Sequence, residues 1–187
     1  EGVLAFLNGI INYLPSPAEA NEIEVLKGNE KTTFICQPDG ELLGYIFKLY
    51  ADPGMGDFAY FRLFSGTLKS GMEFYIPEKD AKDKAGTMYY MLGKNRNDCN
   101  EINSGDIGAL LKLKNAKVMN SIVSSGSNLS IIPIELPTPT TWQTLKAVNQ
   151  ADEDKIGTVL QRVIAEDPTI RYELNVETHE NILSGMG

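Results

Sequence analysis

The sequence predicts a mainly β protein, a small closed barrel followed by an incomplete α/β layer of order βαββ. Between Thr33 and Val123, short segments rich in aromatic and β-branched residues recur at roughly ten-residue spacing. Turn-forming clusters such as "DPGMGD", "SGTLKSG", "EKDAKDK" and "NSGD" separate them. After the Ser- and Gly-rich "SSGSNLS" the pattern changes to strand, helix, strand, strand. Closure is expected because a barrel removes the exposed strand edges that invite aggregation.

Val3, Leu7, Ile10, Ile11 and Leu14 recur at helical spacing, and Pro15 and Pro17 stop the run. Residues 1–14 therefore read as a helix that packs on something larger. Residues 15–32 are charged and poor in large apolar side chains, and read as a linker. The barrel is placed at 33–125, with strands in "LLGYIFKLY", "DFAYFRLF", "MEFYIP", "GTMYYML" and "IGALLKL". In the last of these, Ile107, Ala109, Leu111 and Leu113 face the core while Lys112 and Lys114 face water. Tyr60, Arg62 and Phe64 alternate with Ala59, Phe61 and Leu63, so something must cover both sides of that strand. Gly66 and Gly71 of "YFRLFSGTLKSG" permit turns.

The second unit is placed at 126–187. "TTWQTLKAV" is extended, and Asn149 caps a helix whose positive end is favoured by Asp152. Ile156, Val159, Leu160, Val163 and Ile164 form its apolar stripe, and Pro168 ends it. "TIRYELNV" and "ENILSG" make a hairpin around "ETH". One helix does not shield a three-stranded face, so a further helix and strand are expected to follow. The chain reads as cut from a longer one at both ends.

With 187 residues and 42% hydrophobic content, the chain suits one large domain or two small ones. Its apolar stretches are too short to span a bilayer, and "EGVLAF" lacks the marks of a secretory signal. A soluble, cytoplasmic, monomeric chain without membrane contact is expected. Cys36 and Cys99 have no C-x-x-C spacing and read as reduced thiols, outside any disulfide or zinc framework.

A net charge of −8 excludes general affinity for nucleic acid unless cations gather locally. Lys94, Arg96, Lys112, Lys114 and Lys117 stand close in sequence against Asp98, Glu101 and Asp106, and Arg62 and Lys69 lie in the aromatic segment. These seven are the candidate RNA contacts, although a solvated strand face accounts for most such runs. Arg62 offers phosphate a planar fork, yet stacking on Tyr60 or Phe64, or pairing with a carboxylate, stays open.

Catalysis and metal binding find little support. His179 and Glu177 in "ETHE" are too few to hold a metal, and Cys36 or Cys99 with a lone His179 defines no nucleophile arrangement. "EKDAKDK" reads as a solvated loop. No G-x-x-x-x-G-K-[ST] loop occurs, and "GMGDF" lacks the Lys and Ser/Thr that hold phosphate and magnesium. The chain is expected to be no enzyme on its own and to carry no cofactor.

The order "YLPSP", "GYIFKLYADPGMGDFAYFRLFSGTLKSG", "INSGDIGAL", "ADEDKIGTVLQRVIAEDPT" and "ILSGMG" resembles bacterial elongation factor G over nearly the whole chain. "RLFSGTLKSG" and "SGDI" match the family's barrel, and "EDPT" with "SGMG" its third domain. The resemblance implies a fragment running from the last GTPase-domain helix through domain II into part of domain III. It implies a translation-factor barrel resting on small-subunit ribosomal RNA, then a truncated ferredoxin-like sandwich that meets small-subunit protein. The missing GTPase and C-terminal domains would be partners in the same chain, and GTP and magnesium would bind only in the full-length parent, which promotes translocation.

Two segments depart from the family pattern. "KNAKVMNSI" replaces the usual Thr-Gly-Asp-Thr-Leu, altering the loop at 115–122, and "AVNQ" replaces Pro-Lys-Thr-Lys. A divergent paralogue fits these changes, as does a ribosomal-protection or release-factor GTPase, which "RYELNVETHENILS" also resembles. A general β-barrel module for protein or carbohydrate is the alternative outside translation. Basic side chains gathered on one face favour docking, and scattered ones favour the general module.

Overall fold

A computed structural model describes residues 2–147, 149–176 and 180–187, without the side chains of residues 150–154. The "ETH" turn with Glu177 and His179, Val148 of "AVNQ" and the Asp152 side chain lie outside the described residues. The chain begins with α1 (Val3–Tyr13), β1 (Glu22–Lys27) and β2 (Glu30–Ile35). There follow β3 (Leu43–Asp52), β4 (Gly56–Ser65), β5 (Thr67–Lys69), β6 (Glu73–Ile76), β7 (Ala81–Lys84) and β8 (Met88–Leu92). Next come β9 (Asn95–Cys99), β10 (Glu101–Asn103), β11 (Ile107–Leu111), β12 (Ser121–Val123) and β13 (Leu129–Ile131). The remainder is β14 (Thr141–Leu145), α2 (Gln150–Glu166), β15 (Arg171–Asn175) and β16 (Glu180–Gly185). The protein is mainly β.

Among the described residues the strands do not close into one hydrogen-bonded cylinder. The large sheet runs β7-β6-β12-β3-β4-β11-β8-β9, with β7 and β9 at its ends, while β5 pairs only with β10. At Gly66, with a φ of 76°, the chain turns out of β4 into this separate ribbon. The sheet still wraps a common core. Phe74 and Ile76 from β6, Met88 from β8, Phe61 and Leu63 from β4, and Leu68 and Ile102 from the ribbon are fully buried together.

The Ser65–Gly66 corner explains why the sequence needs a small polar residue followed by glycine. Ser65 Oγ accepts the Gln37 N–H at 3.2 Å and donates to the Gln37 carbonyl at 3.0 Å. The Gly66 N–H donates to the same carbonyl at 2.9 Å. A Cβ on Gly66 would stand 2.9 Å from the Gly40 carbonyl oxygen and 3.1 Å from Leu42 Cα. The corner thus clamps the segment that leads into β3.

Within the expected linker at 15–32, residues 22–27 and 30–32 are strand. β1 pairs with β2 and, on its other edge, with β13, placing Val25 in a second core beside Leu43, Val123, Leu129 and Ile131. One buried valine in a charged stretch is a weak apolar signal, and the pairing partner lies about a hundred residues away. β13, beyond the expected division at 126, thus pairs with a strand of the first unit. Ser121, fully buried, accepts the Ile131 N–H at 2.8 Å and donates to the Glu78 carboxylate.

The expected strand "IGALLKL" is also revised. Leu110 enters the main core, whereas Ala109 and Leu111 face outward into a third cluster with Phe58, Tyr89 and Met91. Ile107 is exposed, and the strand stops at Leu111 because Lys112 takes a φ of 57°. "EKDAKDK" contributes β7, an edge strand paired with β6, in place of a loop. Short polar edge strands of this kind carry no apolar alternation to betray them.

Tyr90 donates to Asp106 Oδ2 at 2.7 Å, which ties β8 to the "SGD" turn before β11. Burial first, then this bond to a carboxylate, pushes the phenol up to about 12. The folded state thus keeps a proton that the unfolded chain releases near its ordinary value of 10.0. The contribution is whole below that value and is lost as pH rises from about 10 to about 12. Urea titrations across this window are expected to show a steeper loss of stability in the native chain than in Tyr90→Phe; parallel curves would contradict it.

α2 begins after Asn149, whose backbone is extended as an N-cap residue's should be, and Leu160 is buried among its described side chains. The sheet beneath runs β14-β16-β15, antiparallel throughout. Glu166, at the end of α2, accepts the Ala51 N–H at 2.9 Å, so the second unit covers part of the open edge of β3.

Candidate functional site

A β-bulge builds the face of greatest interest. The β3–β4 register shifts between Ile46 and Lys48, leaving Phe47 as the extra residue. Phe47 and Lys48 both come to lie against Tyr60: the rings of Phe47 and Tyr60 are 6.5 Å apart, and Lys48 Nζ stands 5.9 Å from the Tyr60 centroid. Tyr50, one alternation further along β3, leaves 43% of its surface exposed.

The β3–β4 turn supplies the anchor for the next cation. Asp52 Oδ1 accepts the N–H groups of Gly54 and Met55, which fixes the turn, and its Oδ2 accepts from Arg96 at 2.7 Å. The Arg96 guanidinium also contacts the Met55 sulfur and lies 5.4 Å from the Phe58 centroid. Lys94 stands in the adjoining β8–β9 turn, at the rim of a groove of about 320 Å³ whose walls include Lys48, Tyr50, Tyr60 and Arg96. Lys112 reaches the same hairpin from β11, its N–H on the Asp57 carbonyl at 2.8 Å and its stem against Gly56. Asp98, two residues beyond Arg96 on β9, brings one carboxylate to this side.

The other expected contacts stand elsewhere. Lys114 lies where the hairpin meets α2, with its N–H on Asp83 at 2.9 Å and Arg162 and Glu166 across the junction. Lys117 borders Gln161 and Ile164 of α2. Lys69 is exposed on β5, 4.0 Å from Glu101. Arg62 is half-buried, with its guanidinium 5.4 Å from the Phe64 centroid, so the stacking alternative prevails over a free fork. The outer sides of Arg62 and Phe64 explain the doubly apolar β4: one end is covered by the β1–β2–β13 sheet, the other is the aromatic face beside the bulge.

Sequence reasoning missed Lys48 and gave Asp52 no part. In "IFKLYAD" strict alternation assigns Phe47 and Lys48 to opposite faces, and only the bulge brings them together. The altered loop at 115–122 keeps a tight turn without glycine: Met119 takes a φ of 71°, and its N–H donates to the Ile46 carbonyl at 2.8 Å. Asn120 Oδ1 accepts the Lys117 N–H at 2.8 Å and holds the loop from within.

No reactive centre accompanies this face among the described residues. Cys36 and Cys99 are free, and burial pushes both thiols up, away from the thiolate. Among the described residues there is no group of three potential metal ligands and no helix long and apolar enough to cross a membrane.

The curled β unit, its basic and aromatic hairpin, and the αβ unit packed on its edge define a protein of translation-factor class once compared with known proteins. Residues 41–125 match the family model for elongation factor G domain 2, and residues 136–187 match that for elongation factor G, domain III. Together the matches cover well over half of the sequence, and the chain belongs to the elongation factor G family. A crystal structure of a protein from Thermus thermophilus superposes with a TM-score of 0.77 at 27% identity, over 100% of this chain. The chain spans 26% of the length of that protein.

Proposed function

We propose that this chain is the docking portion of an elongation factor G-type GTPase that promotes ribosomal translocation. Its β unit lies on small-subunit ribosomal RNA, its αβ unit faces small-subunit protein, and together they relay the state of a GTPase domain elsewhere in the parent. GTP and magnesium bind in that domain, and this portion hydrolyses nothing. The protein works in the cytoplasm, as a monomer.

One observation carries this reading: Lys48, Lys94 and Lys112, with Arg96 held by Asp52, converge on the β3–β4 hairpin within the domain 2 match, although the whole chain carries a charge of −8. A general interaction module has no need to gather cations against its own net charge. Lys69 and Lys117 stand apart and are set aside as contacts. The test is co-sedimentation of the chain with purified small subunits over a salt series from about 50 to about 200 mM, in which contacts to phosphate weaken log-linearly with salt. Binding that ignores salt, or no binding at the lowest salt, would refute it.

A further inference from the structure

We infer that the groove beside the β3–β4 hairpin receives one unpaired base of an RNA loop, stacked on Tyr50, with its flanking phosphates on Lys48 and Lys94. This rests on the docking reading and specifies the form of RNA bound. The groove, of about 320 Å³, is at the small end of ligand clefts and suits a base better than a length of duplex. Its aromatic wall is open: Tyr50 leaves 43% of its surface exposed beside Lys48 and Lys94. The face of Phe58 is already taken by Arg96, so Tyr50 is the free platform.

Charge selects the occupant further. Asp52 occupies Arg96, whereas Lys48 and Lys94 make no ion pair among the described residues and flank the groove. A duplex would satisfy the two ammonium groups but keeps its bases stacked inside, and an acidic peptide would leave the flat ring unused. An unpaired nucleotide uses both features, since every base has a face to stack and a phosphate on each side.

The experiment measures fluorescence anisotropy of the 187-residue chain with two RNAs of equal phosphate number, a hairpin with an unpaired adenine loop and a blunt duplex. The hairpin is expected to bind about tenfold tighter, the size of one base–aromatic stack. Tyr50→Leu, checked for folding by circular dichroism, should erase that preference while leaving duplex binding in place, and Tyr50→Phe should keep it. Equal affinity for hairpin and duplex, an unchanged preference in Tyr50→Leu, or equally strong competition by a polyglutamate peptide would each overturn the inference and leave docking by charge standing. Failure of both RNAs to bind would overturn the docking reading as well.

Discussion

Gly66→Ala is expected to lower stability by about 3 kcal/mol, whereas Gly28→Ala should cost only about 1 kcal/mol. Both glycines have positive φ, 76° and 63°, so both substitutions carry the left-handed penalty of an L-residue. Their surroundings differ. Nothing lies within 4 Å of the Cβ position at Gly28, but at Gly66 the Gly40 carbonyl oxygen would be 2.9 Å away and Leu42 Cα 3.1 Å. Those are backbone atoms held by the Ser65–Gln37 bonds, and they cannot swing aside as a side-chain end would. The excess of about 2 kcal/mol for Gly66 is therefore the work of parting two backbone segments. For a chain of this size, about 3 kcal/mol corresponds to a fall of roughly 6–12 °C in Tm. Thermal and urea denaturation of the two variants side by side decide the matter. Equal losses would mean that the corner yields freely and that Gly66 is needed for its φ alone.

The same corner shows what a sequence discloses and what it withholds. "RLFSGTLKSG" is readable because three local requirements coincide: an apolar alternation, a hydroxyl that bonds backbone, and a residue without Cβ at positive φ. The strands β3, β4, β8 and β11, and the helix α2, are legible for similar reasons, since burying apolar faces leaves periodic traces. β7, β9 and β10 leave none; "AKDK", "NRNDC" and "EIN" become strands because an apolar neighbour presents unpaired backbone groups to them. β1 depends on a partner far along the chain. At the candidate site, Lys94, Arg96 and Lys112 are readable as a local excess of charge. Their convergence is not, because it depends on a bulge at 46–48, a carboxylate in the β3–β4 turn and a left-handed Lys112, none of which has a periodic signature.

If charge at this hairpin drives docking, substituting Lys48, Lys94 and Lys112 together by Gln will remove about thirtyfold of the weakening that salt causes between about 50 and about 200 mM. The estimate takes each lysine as one phosphate contact, so the slope of log affinity against log salt should fall by roughly 2 to 3. Arg96 is left in place because it is bonded to Asp52 at 2.7 Å and covers Phe58, and its loss would disturb the hairpin itself. Lys69→Gln with Lys117→Gln is the matched control: both are exposed cations, one beside Glu101 and one against α2, away from the groove. Overall charge becomes more negative by three in the first variant and by two in the second, so a general repulsion from RNA would affect them almost alike. A docking face would not: binding of small subunits should drop at low salt in the triple variant and hold in the double. Similar slopes in both would mean that affinity follows the net charge of the chain and that the convergence of cations on the β3–β4 hairpin has no part in it.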